Sequence, residues 1–334
     1  MNMTASEDKT PYLNLGPDAI LDAVESVGYH CDGHQLALNS YENRVYQVGM
    51  EDGQFLVAKF YRAGRWSDEA ILEEHLFSTA LYEQEIPAVP PIADAEGRTL
   101  HSHGGYRFSL YPRRGGRAPD LELPENLRHM GRLLGRIHAM GGVRPFSHRP
   151  TLDLESFGVA SRAFLLESNM IPLELERAYE TLTSDLIERI GICFDQAGNT
   201  RQIRLHGDCH PGNILWTDDG PHFVDFDDAR MGPAVQDLWM CLSGGREDQI
   251  AQLDHLLSGY TLFCDFDIRE LRLVEALRTL RMMHHAAWIA RRWDDPAFPL
   301  AFPWFNGPRY WDEHVLALRE QAALMDEFPL TWDK

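Results

Sequence analysis

Two short polar loops near the middle of the chain constrain its fold more than any other feature. The first loop, His206–Asn213, follows an apolar run that ends at Leu205. The apolar run Ile214–Trp216 follows this loop, and the turn residues Asp218–Gly220 connect it to a second apolar run. The second polar loop begins where that run ends, at Asp225. Apolar runs bounded by such turns predict a β-hairpin, which places both polar loops on one side of the strands.

The side chains that these loops carry are hard oxygen donors. Asp208, Asn213 and Asp225 offer two carboxylates and an amide, and Mg²⁺ prefers one or two carboxylates together with substrate phosphates. Three acids, Asp225, Asp227 and Asp228, fall within four residues. Like charges at such spacing repel unless a cation is near. A structural alternative is that the polar residues only form turns and caps.

The spacing resembles the catalytic loop of protein kinases, in which an aspartate precedes an asparagine by five positions and a magnesium-binding aspartate follows. This resemblance implies that Asp225 is a catalytic residue and a Mg²⁺ ligand, with Asn213 as the second protein ligand of the metal. Asp208 would accept a hydrogen bond from the attacking hydroxyl and take its proton late in phosphoryl transfer.

The first third of the chain predicts a nucleotide-binding group. Lys59 lies within the apolar strand Phe55–Tyr61, where a charged side chain needs partners. In kinases such a lysine binds the ATP phosphates and pairs with a helix glutamate. Glu74, on a helix that Ser67 would cap, is the candidate, with Glu73 as the competitor. The alternative for Lys59 is an edge lysine that reaches solvent.

The turn between the first two predicted strands lacks the glycine-rich pattern of protein kinases. Asn39–Asn43 stands there instead. Short polar residues can still offer backbone N–H groups and a hydroxyl to phosphate. Ser40 is the candidate ATP contact, and an ordinary hairpin turn is the alternative.

The full set of motifs is similar to the stress response kinase A family, within the aminoglycoside-phosphotransferase and choline-kinase branch of the kinase superfamily. The stretches that carry this resemblance are Leu38–Gln47, Val57–Arg62, Ile71–His75, Arg204–His210, Gly212–Trp216, Asp227–Met240 and Arg291–Pro299. By the same resemblance, Asp237 is a structural aspartate that holds the catalytic loop.

The resemblance implies a cytoplasmic, monomeric serine/threonine protein kinase that uses ATP and Mg²⁺ in a bacterial stress response. A protein with a serine or threonine acceptor would then be its partner. One alternative keeps the fold but phosphorylates a small alcohol such as homoserine, choline or an aminoglycoside. Two further alternatives are a metal-dependent hydrolase that uses His206, Asp208, His210 and Asp225, and a nucleotide-sensing protein without catalysis.

Element patterns predict an α+β, bilobal protein-kinase-like fold. A flexible N-terminus (1–12) would precede a small antiparallel-sheet lobe (13–113) and a mainly helical lobe (114–334). The predicted strands lie near 35–38, 45–48, 55–61, 99–100 and 106–111. Helices are predicted over 17–29, from 68 to about 83, and over 124–140, 172–190, 247–263 and 270–292.

The net charge limits the kinds of partner that the chain can bind, and the cysteines indicate its redox compartment. The formal net charge is −20, from 51 acidic and 31 basic residues. Such a surface repels nucleic acid and anionic lipid.

No apolar run approaches the roughly 20 residues of a membrane span. The five cysteines form no C-x-x-C pair, so neither a zinc site nor a disulfide framework is predicted, and a reducing cytoplasm is expected.

Overall fold

A computed structural model describes residues 11–332 of the chain. Residues 1–10 of the N-terminal segment predicted to be flexible lie outside the described residues. The described part forms two compact units, and each is interleaved along the sequence. The first unit comprises residues 11–118, 212–227 and 294–297, and the second comprises residues 119–211, 228–293 and 298–332.

The first unit is built on an antiparallel sheet, as the sequence predicts. Its strands are β1 (Cys31–Ala37), β2 (Arg44–Met50), β3 (Phe55–Phe60), β4 (His101–His103) and β5 (Tyr106–Pro112), in the order β1-β2-β3-β5-β4. Two helices accompany the sheet, α1 (Pro17–Glu25) and α2 (Asp68–Glu83). The Ser67 hydroxyl accepts a hydrogen bond from the Ala70 N–H at 3.2 Å, which confirms the predicted cap of α2.

Alternation along β3 separates its core side chains from its polar one. Ala58 and Phe60 pack into an apolar core with Phe108 of β5 and with Val24 of α1. Because successive side chains of a strand point to opposite faces, Lys59 is directed away from that core. The strand thus presents a single buried ammonium group to the other face of the sheet.

A hairpin from the middle of the chain completes the first unit. It consists of β7 (Ile214–Thr217) and β8 (Gly220–Phe223), as predicted. The Phe223 N–H donates to the Pro87 carbonyl at 2.8 Å, and Arg117 and Trp216 exchange two backbone hydrogen bonds. These bonds explain why residues 212–227, far beyond the predicted lobe boundary at 113/114, belong to the first unit.

The second unit is mainly helical. Its helices are α3 (Pro124–Gly141), α4 (Ala160–Glu167), α5 (Leu173–Ala197), α6 (Val235–Trp239), α7 (Arg246–Tyr260), α8 (Val274–Arg291), α9 (Ala297–Ala301) and α10 (Pro308–Asp326). Two short strands, β6 (Ile203–Leu205) and β9 (Arg230–Gly232), pair antiparallel. The helix predicted over 270–292 begins later, since Ile268–Leu273 forms a 3₁₀ helix. Helices α4, α6, α9 and α10 were not predicted.

Close contact between α3 and α7 depends on glycine. A Cβ at Gly131 would lie 1.9 Å from the Leu256 carbonyl oxygen, and a Cβ at Gly259 would lie 2.1 Å from the Arg128 carbonyl oxygen. Any larger residue would force the helices apart. Within residues 11–332, none of the helices is both long and apolar enough to span a bilayer.

Candidate active site

Lys59 and Asp225 meet in the first unit. The Lys59 Nζ lies 2.8 Å from Asp225 Oδ1 and 3.3 Å from Asp227 Oδ1. Burial alone would lower the pKa of Lys59, but these two carboxylates, with Tyr61 and Glu74, hold it well above its ordinary value. The lysine is therefore a permanent, buried cation, and the edge-lysine alternative does not describe it.

Glu74 is the buried member of the two candidate glutamates. Its side chain is only 2% exposed, and its charge helps to raise the pKa of Lys59. Glu73, the competitor, is partly exposed on the same helix. Burial on the turn of α2 that faces the lysine gives Glu74 the position expected of a pairing partner.

Asp225 has a strained backbone. Its φ is 59°, in the left-handed region that few non-glycine residues adopt. Such strain concentrates at functional sites, where the surrounding structure maintains it. The Val224 N–H donates to the Asn213 carbonyl at 3.0 Å, so Asn213 is held beside the start of this turn. The Asp225 side chain remains 53% exposed and accessible to a ligand.

The loop that contains Ser40 is closed by its own hydrogen bonds. The Ser40 hydroxyl donates to the Asn43 carbonyl at 3.1 Å, and the Leu38 N–H donates to the Val45 carbonyl at 2.8 Å. The Arg62 N–H donates to the Asn43 side chain at 3.1 Å. The loop is thus a tight, braced turn between β1 and β2, and the Ser40 hydroxyl oxygen keeps its lone pairs as acceptors.

An ion-pair network adjoins Lys59, and sequence reasoning did not find it. Arg65 binds Asp227 and lies 3.8 Å from Glu42, while Arg62 lies 2.9 Å from Asp295. The network keeps Asp227 engaged on two sides, by Lys59 and by Arg65. No local signal in the sequence indicated it, because the segment that carries Asp295 lies more than 200 residues beyond Arg62 along the chain.

Asp208 lies in the second unit, where two cationic or polar groups hold its carboxylate. Arg281 of α8 donates to Asp208 Oδ1 at 2.5 Å, and His210 Nε2 lies 3.5 Å from Oδ2. Burial would raise the pKa of this carboxyl, but the hydrogen bond from His210 and the charge of Arg281 hold it well below its usual range. Asp208 is therefore ionised at neutral pH.

Asp237 organises the loop before Asp208. Its carboxylate accepts hydrogen bonds from the His206 N–H at 2.8 Å and the Gly207 N–H at 2.9 Å. The fully buried His138 contributes its Nε2 at 3.1 Å. Each contact restrains the loop backbone, and this is the structural arrangement that the sequence resemblance implies for Asp237.

Arg281, the partner of Asp208, is another residue that sequence reasoning missed. It belongs to no motif, and its partner lies 73 residues earlier. One signal was present in the sequence, because no acidic residue occurs between Glu275 and Asp294, although the whole chain is strongly acidic.

The donor set suits a magnesium ion that is shared with phosphates. Asn213 and Asp225 supply one amide and one carboxylate, both at the end of the β7–β8 hairpin. Within residues 11–332, no group of three or more His, Cys, Asp or Glu side chains is arranged to hold a metal. An ion at Asp225 would take its remaining ligands from water and phosphate oxygens, as Mg²⁺ commonly does.

The comparison with protein families identifies a phosphotransferase. A family model described as "Phosphotransferase enzyme family" matches residues 34–274, well over half of the chain, and the chain belongs to that family. It is an enzyme of the kinase class.

Particular relatives narrow this further. Stress response kinase A of Escherichia coli (strain K12) is 43% identical over 319 residues, and the match covers 96% of each chain. A serine/threonine protein kinase RdoA of Salmonella typhimurium (strain LT2) is 42% identical with the same coverage. These matches confirm the family resemblance that the motifs indicate.

Solved structures confirm the fold. An amicoumacin kinase in complex with AMP-PNP, Ca²⁺ and Ami is similar with a TM-score of 0.72 and 17% identity, over 94% of both chains. A spectinomycin phosphotransferase in complex with ADP and spectinomycin has a TM-score of 0.64 and 14% identity, over 91% of this chain and 98% of the other. The predicted kinase-like architecture of sheet unit and helical unit is correct.

Proposed function

We propose that this chain is an ATP-dependent, magnesium-requiring serine/threonine protein kinase that acts in a bacterial stress response. The observation that carries the proposal is the 2.8 Å contact between Lys59 and Asp225, a buried cation beside an exposed carboxylate on a strained turn. The names of the most similar relatives support the protein acceptor and the stress response.

The first unit would bind the nucleotide. Lys59 would contact the ATP phosphates, Glu74 would keep its ammonium group in place, and the Ser40 turn would cover the phosphates. Asn213 and Asp225 would hold Mg²⁺, which supplies charge neutralisation to the phosphates when bound. In this structure Lys59 pairs with Asp225 and Asp227. A phosphate of ATP would take the place of one of these carboxylates, so the ammonium group would stay paired with an anion.

The second unit would supply the base. Asp208 is ionised, and its carboxylate would accept the hydrogen bond of the acceptor hydroxyl. As the oxygen bonds to the γ-phosphorus and the bond to the β-phosphate oxygen breaks, the proton passes to Asp208. The strongly lowered pKa makes Asp208 a weak base, which suits a loose transition state in which proton transfer is late. Positioning is then its main contribution.

Location and assembly follow the family resemblance. We place the enzyme in the cytoplasm as a monomer. The five cysteines, all within the described residues, are free thiols, and a reducing compartment maintains that state.

Transfer from labelled ATP tests the proposal. Purified protein is incubated with γ-labelled ATP, Mg²⁺ and a protein extract depleted of nucleotides, and the products are separated by denaturing gel and by thin-layer chromatography. We expect label on protein bands at phosphoserine or phosphothreonine, and loss of that label when Mg²⁺ is chelated. Asp208→Asn is the matched inactive enzyme.

Two outcomes contradict parts of the proposal. Label confined to a small product would replace the protein acceptor with a small alcohol, the alternative that the sequence left open. Transfer that persists in full after chelation would remove magnesium from the reaction.

A further inference from the structure

One face of α8, extended by Arg292 directly after the helix, carries a line of cationic and aromatic side chains that starts with Arg281, the partner of Asp208. Arg281, His285, Trp288 and Arg292 follow one another at spacings of four, three and four residues. Residues at these spacings share one helix face. We call these four residues the α8 stripe.

Contacts along the α8 stripe hold its side chains in order. Arg281 donates to Asp208 and keeps 41% of its side chain exposed. The His285 and Trp288 rings stack with centroids 5.6 Å apart. The Arg292 guanidinium lies 5.4 Å from the Trp288 ring centroid and donates to the Trp288 carbonyl at 3.2 Å. The stripe is therefore a preorganised surface.

Apolar residues border the stripe. The Phe302 ring packs edge-on against Trp288 at 5.8 Å and against Trp304 at 5.7 Å. Trp304 is 48% exposed. Exposed large apolar side chains beside ordered cations are typical of a binding surface.

We propose that the α8 stripe binds an acidic segment of the protein substrate and presents its serine or threonine hydroxyl to Asp208. This inference rests on the proposed function and specifies its substrate class. The chain has a net charge of −20, yet this helix has no acid between Glu275 and Asp294. Electrostatic complementarity at the stripe therefore selects negative partners.

Length favours a peptide segment over a metabolite. Eleven residues separate the ends of the stripe, and at 1.5 Å rise per residue this is about 16 Å. An extended chain advances about 3.3 Å per residue, so roughly five substrate residues would lie along it. Cationic acceptors such as aminoglycosides or choline would offer Arg281 no anion in exchange for Asp208.

Arg281 gives the preference a mechanism. It now donates to the same carboxylate that must receive the acceptor hydroxyl. An acidic residue next to the acceptor offers Arg281 a second anion, and Asp208 Oδ1 then becomes available to the hydroxyl. A neutral segment lacks this competing partner, so the acidic flank improves kcat as well as KM.

Three peptides test the proposal. Each has a central serine flanked on both sides by two glutamates, two glutamines or two lysines, and kcat/KM is measured with Mg-ATP. We expect the glutamate peptide to exceed the glutamine peptide by about tenfold, since several exposed charge contacts add together. Arg292→Glu should remove that preference and favour the lysine peptide. His285→Glu is a second variant. The thermal stability of both variants is measured, and their kcat/KM values are compared with those of the parent where the stabilities are equal.

Arg309→Glu is the matched control, because Arg309 is an exposed arginine on α10 that pairs with Glu313 at 2.7 Å. It should leave the peptide preference unchanged. Equal kcat/KM for all three peptides, or equal effects of Arg292→Glu and Arg309→Glu, would overturn the acidic preference while the kinase remains. Transfer to none of the peptides but to a small alcohol would instead contradict the proposed protein acceptor, and the inference with it.

Discussion

At the scale of single residues, Asp208 combines a low pKa with two neighbours that fix its orientation. Asp208→Asn keeps the shape but removes the anion that accepts the proton. We expect kcat to fall by about 10³-fold, within the range of general-base removal, with ATP affinity nearly unchanged. Steady-state kinetics and nucleotide titration measure both. Asp312→Asn on exposed α10 is the control, and a parent-like kcat in Asp208→Asn would remove Asp208 from the reaction.

Asp225 is expected to govern metal-dependent nucleotide binding. Asp225→Asn removes one ligand charge for Mg²⁺ and one partner of Lys59. We expect Mg²⁺ to strengthen ATP binding in the parent. The factor by which Mg²⁺ increases ATP affinity should be at least about tenfold smaller in the variant. Calorimetric titration with and without Mg²⁺ measures this difference. Asp219→Asn, in the exposed turn of the same hairpin, should behave as the parent, and an unaltered Mg²⁺ effect in Asp225→Asn would contradict the assignment.

Motifs predicted some of the residues that adjoin this site and did not predict others, for a physical reason. Lys59 and Asp225 were predicted because phosphoryl transfer demands those groups at particular elements. Arg281 and Asp295 were missed because their partners are set by tertiary packing, and no local pattern encodes a contact across more than 70 residues. The choice between Glu73 and Glu74 also needed the structure, since a helix turn of 100° per residue decides which one is buried.

At the scale of elements, the turn before Asp208 requires glycine. Gly207 has a φ of +85°, and a Cβ there would lie 2.2 Å from the Asp228 carbonyl oxygen. Gly207→Ala should therefore displace the loop, with a cost of about 3 kcal/mol and a fall in kcat of at least about tenfold. Urea unfolding and steady-state kinetics measure these effects.

Gly97 offers a matched comparison for that prediction. Its φ is +81°, almost the same, and a Cβ there would meet no atom within 4 Å. Gly97→Ala should cost only about 1 kcal/mol, from backbone conformation alone, and should leave kcat unchanged. Equal losses in the two variants would mean that the contact with Asp228 has no effect.

Element prediction succeeded where local signals were strong. Strands β2, β3 and β5 and helix α2 follow alternation, turn residues and the Ser67 cap, which are properties of a few neighbouring residues. The strand predicted at 99–100 lies instead at His101–His103, and β1 begins at Cys31 rather than near residue 35. The start of α8 was misplaced because Asp267 caps a 3₁₀ turn, its side chain accepting from the Arg269 N–H at 3.0 Å. Propensity does not separate a 3₁₀ turn from the first turn of an α-helix.

At the scale of the whole molecule, the interleaving of the two units was beyond sequence reasoning. The predicted lobe boundary falls between residues 113 and 114, and the first continuous run of the first unit extends to residue 118. The later returns at 212–227 and 294–297 depend on backbone hydrogen bonds and on ion pairs of Asp295. Such long-range pairings leave no periodic pattern in the sequence.

The pH dependence of stability belongs to the same scale, because proton binding is counted over the whole unfolding reaction. Glu270, in the second unit, accepts a hydrogen bond from the Val235 N–H at 2.9 Å. Burial, reinforced by the charge of Asp267, outweighs that hydrogen bond and raises the pKa of Glu270 to about 7. The native protein therefore holds this proton more tightly than the unfolded chain does.

The sign of the effect follows from that difference. Between about pH 4.5 and pH 7 the native state binds more protons at Glu270 than the unfolded state, so the free energy of unfolding falls as pH rises. The loss approaches about 3 kcal/mol by pH 8. Glu270→Gln removes the ionisation and keeps a carbonyl acceptor for Val235. We expect the variant to be more stable than the parent at pH 8, with the advantage nearly gone at pH 4.5.

Urea unfolding at these two pH values measures the prediction, with Glu313→Gln on the exposed face of α10 as the control. The control should have the parent's pH dependence, since its carboxylate is exposed and pairs only with Arg309 among the ion pairs of the described residues. If parent and Glu270→Gln lost stability equally between pH 4.5 and pH 8, the proton on Glu270 would make no contribution to folding. A steeper loss in the parent would place the source of alkaline sensitivity in the helical unit, where Glu270 fixes the start of α6 beside Asp237.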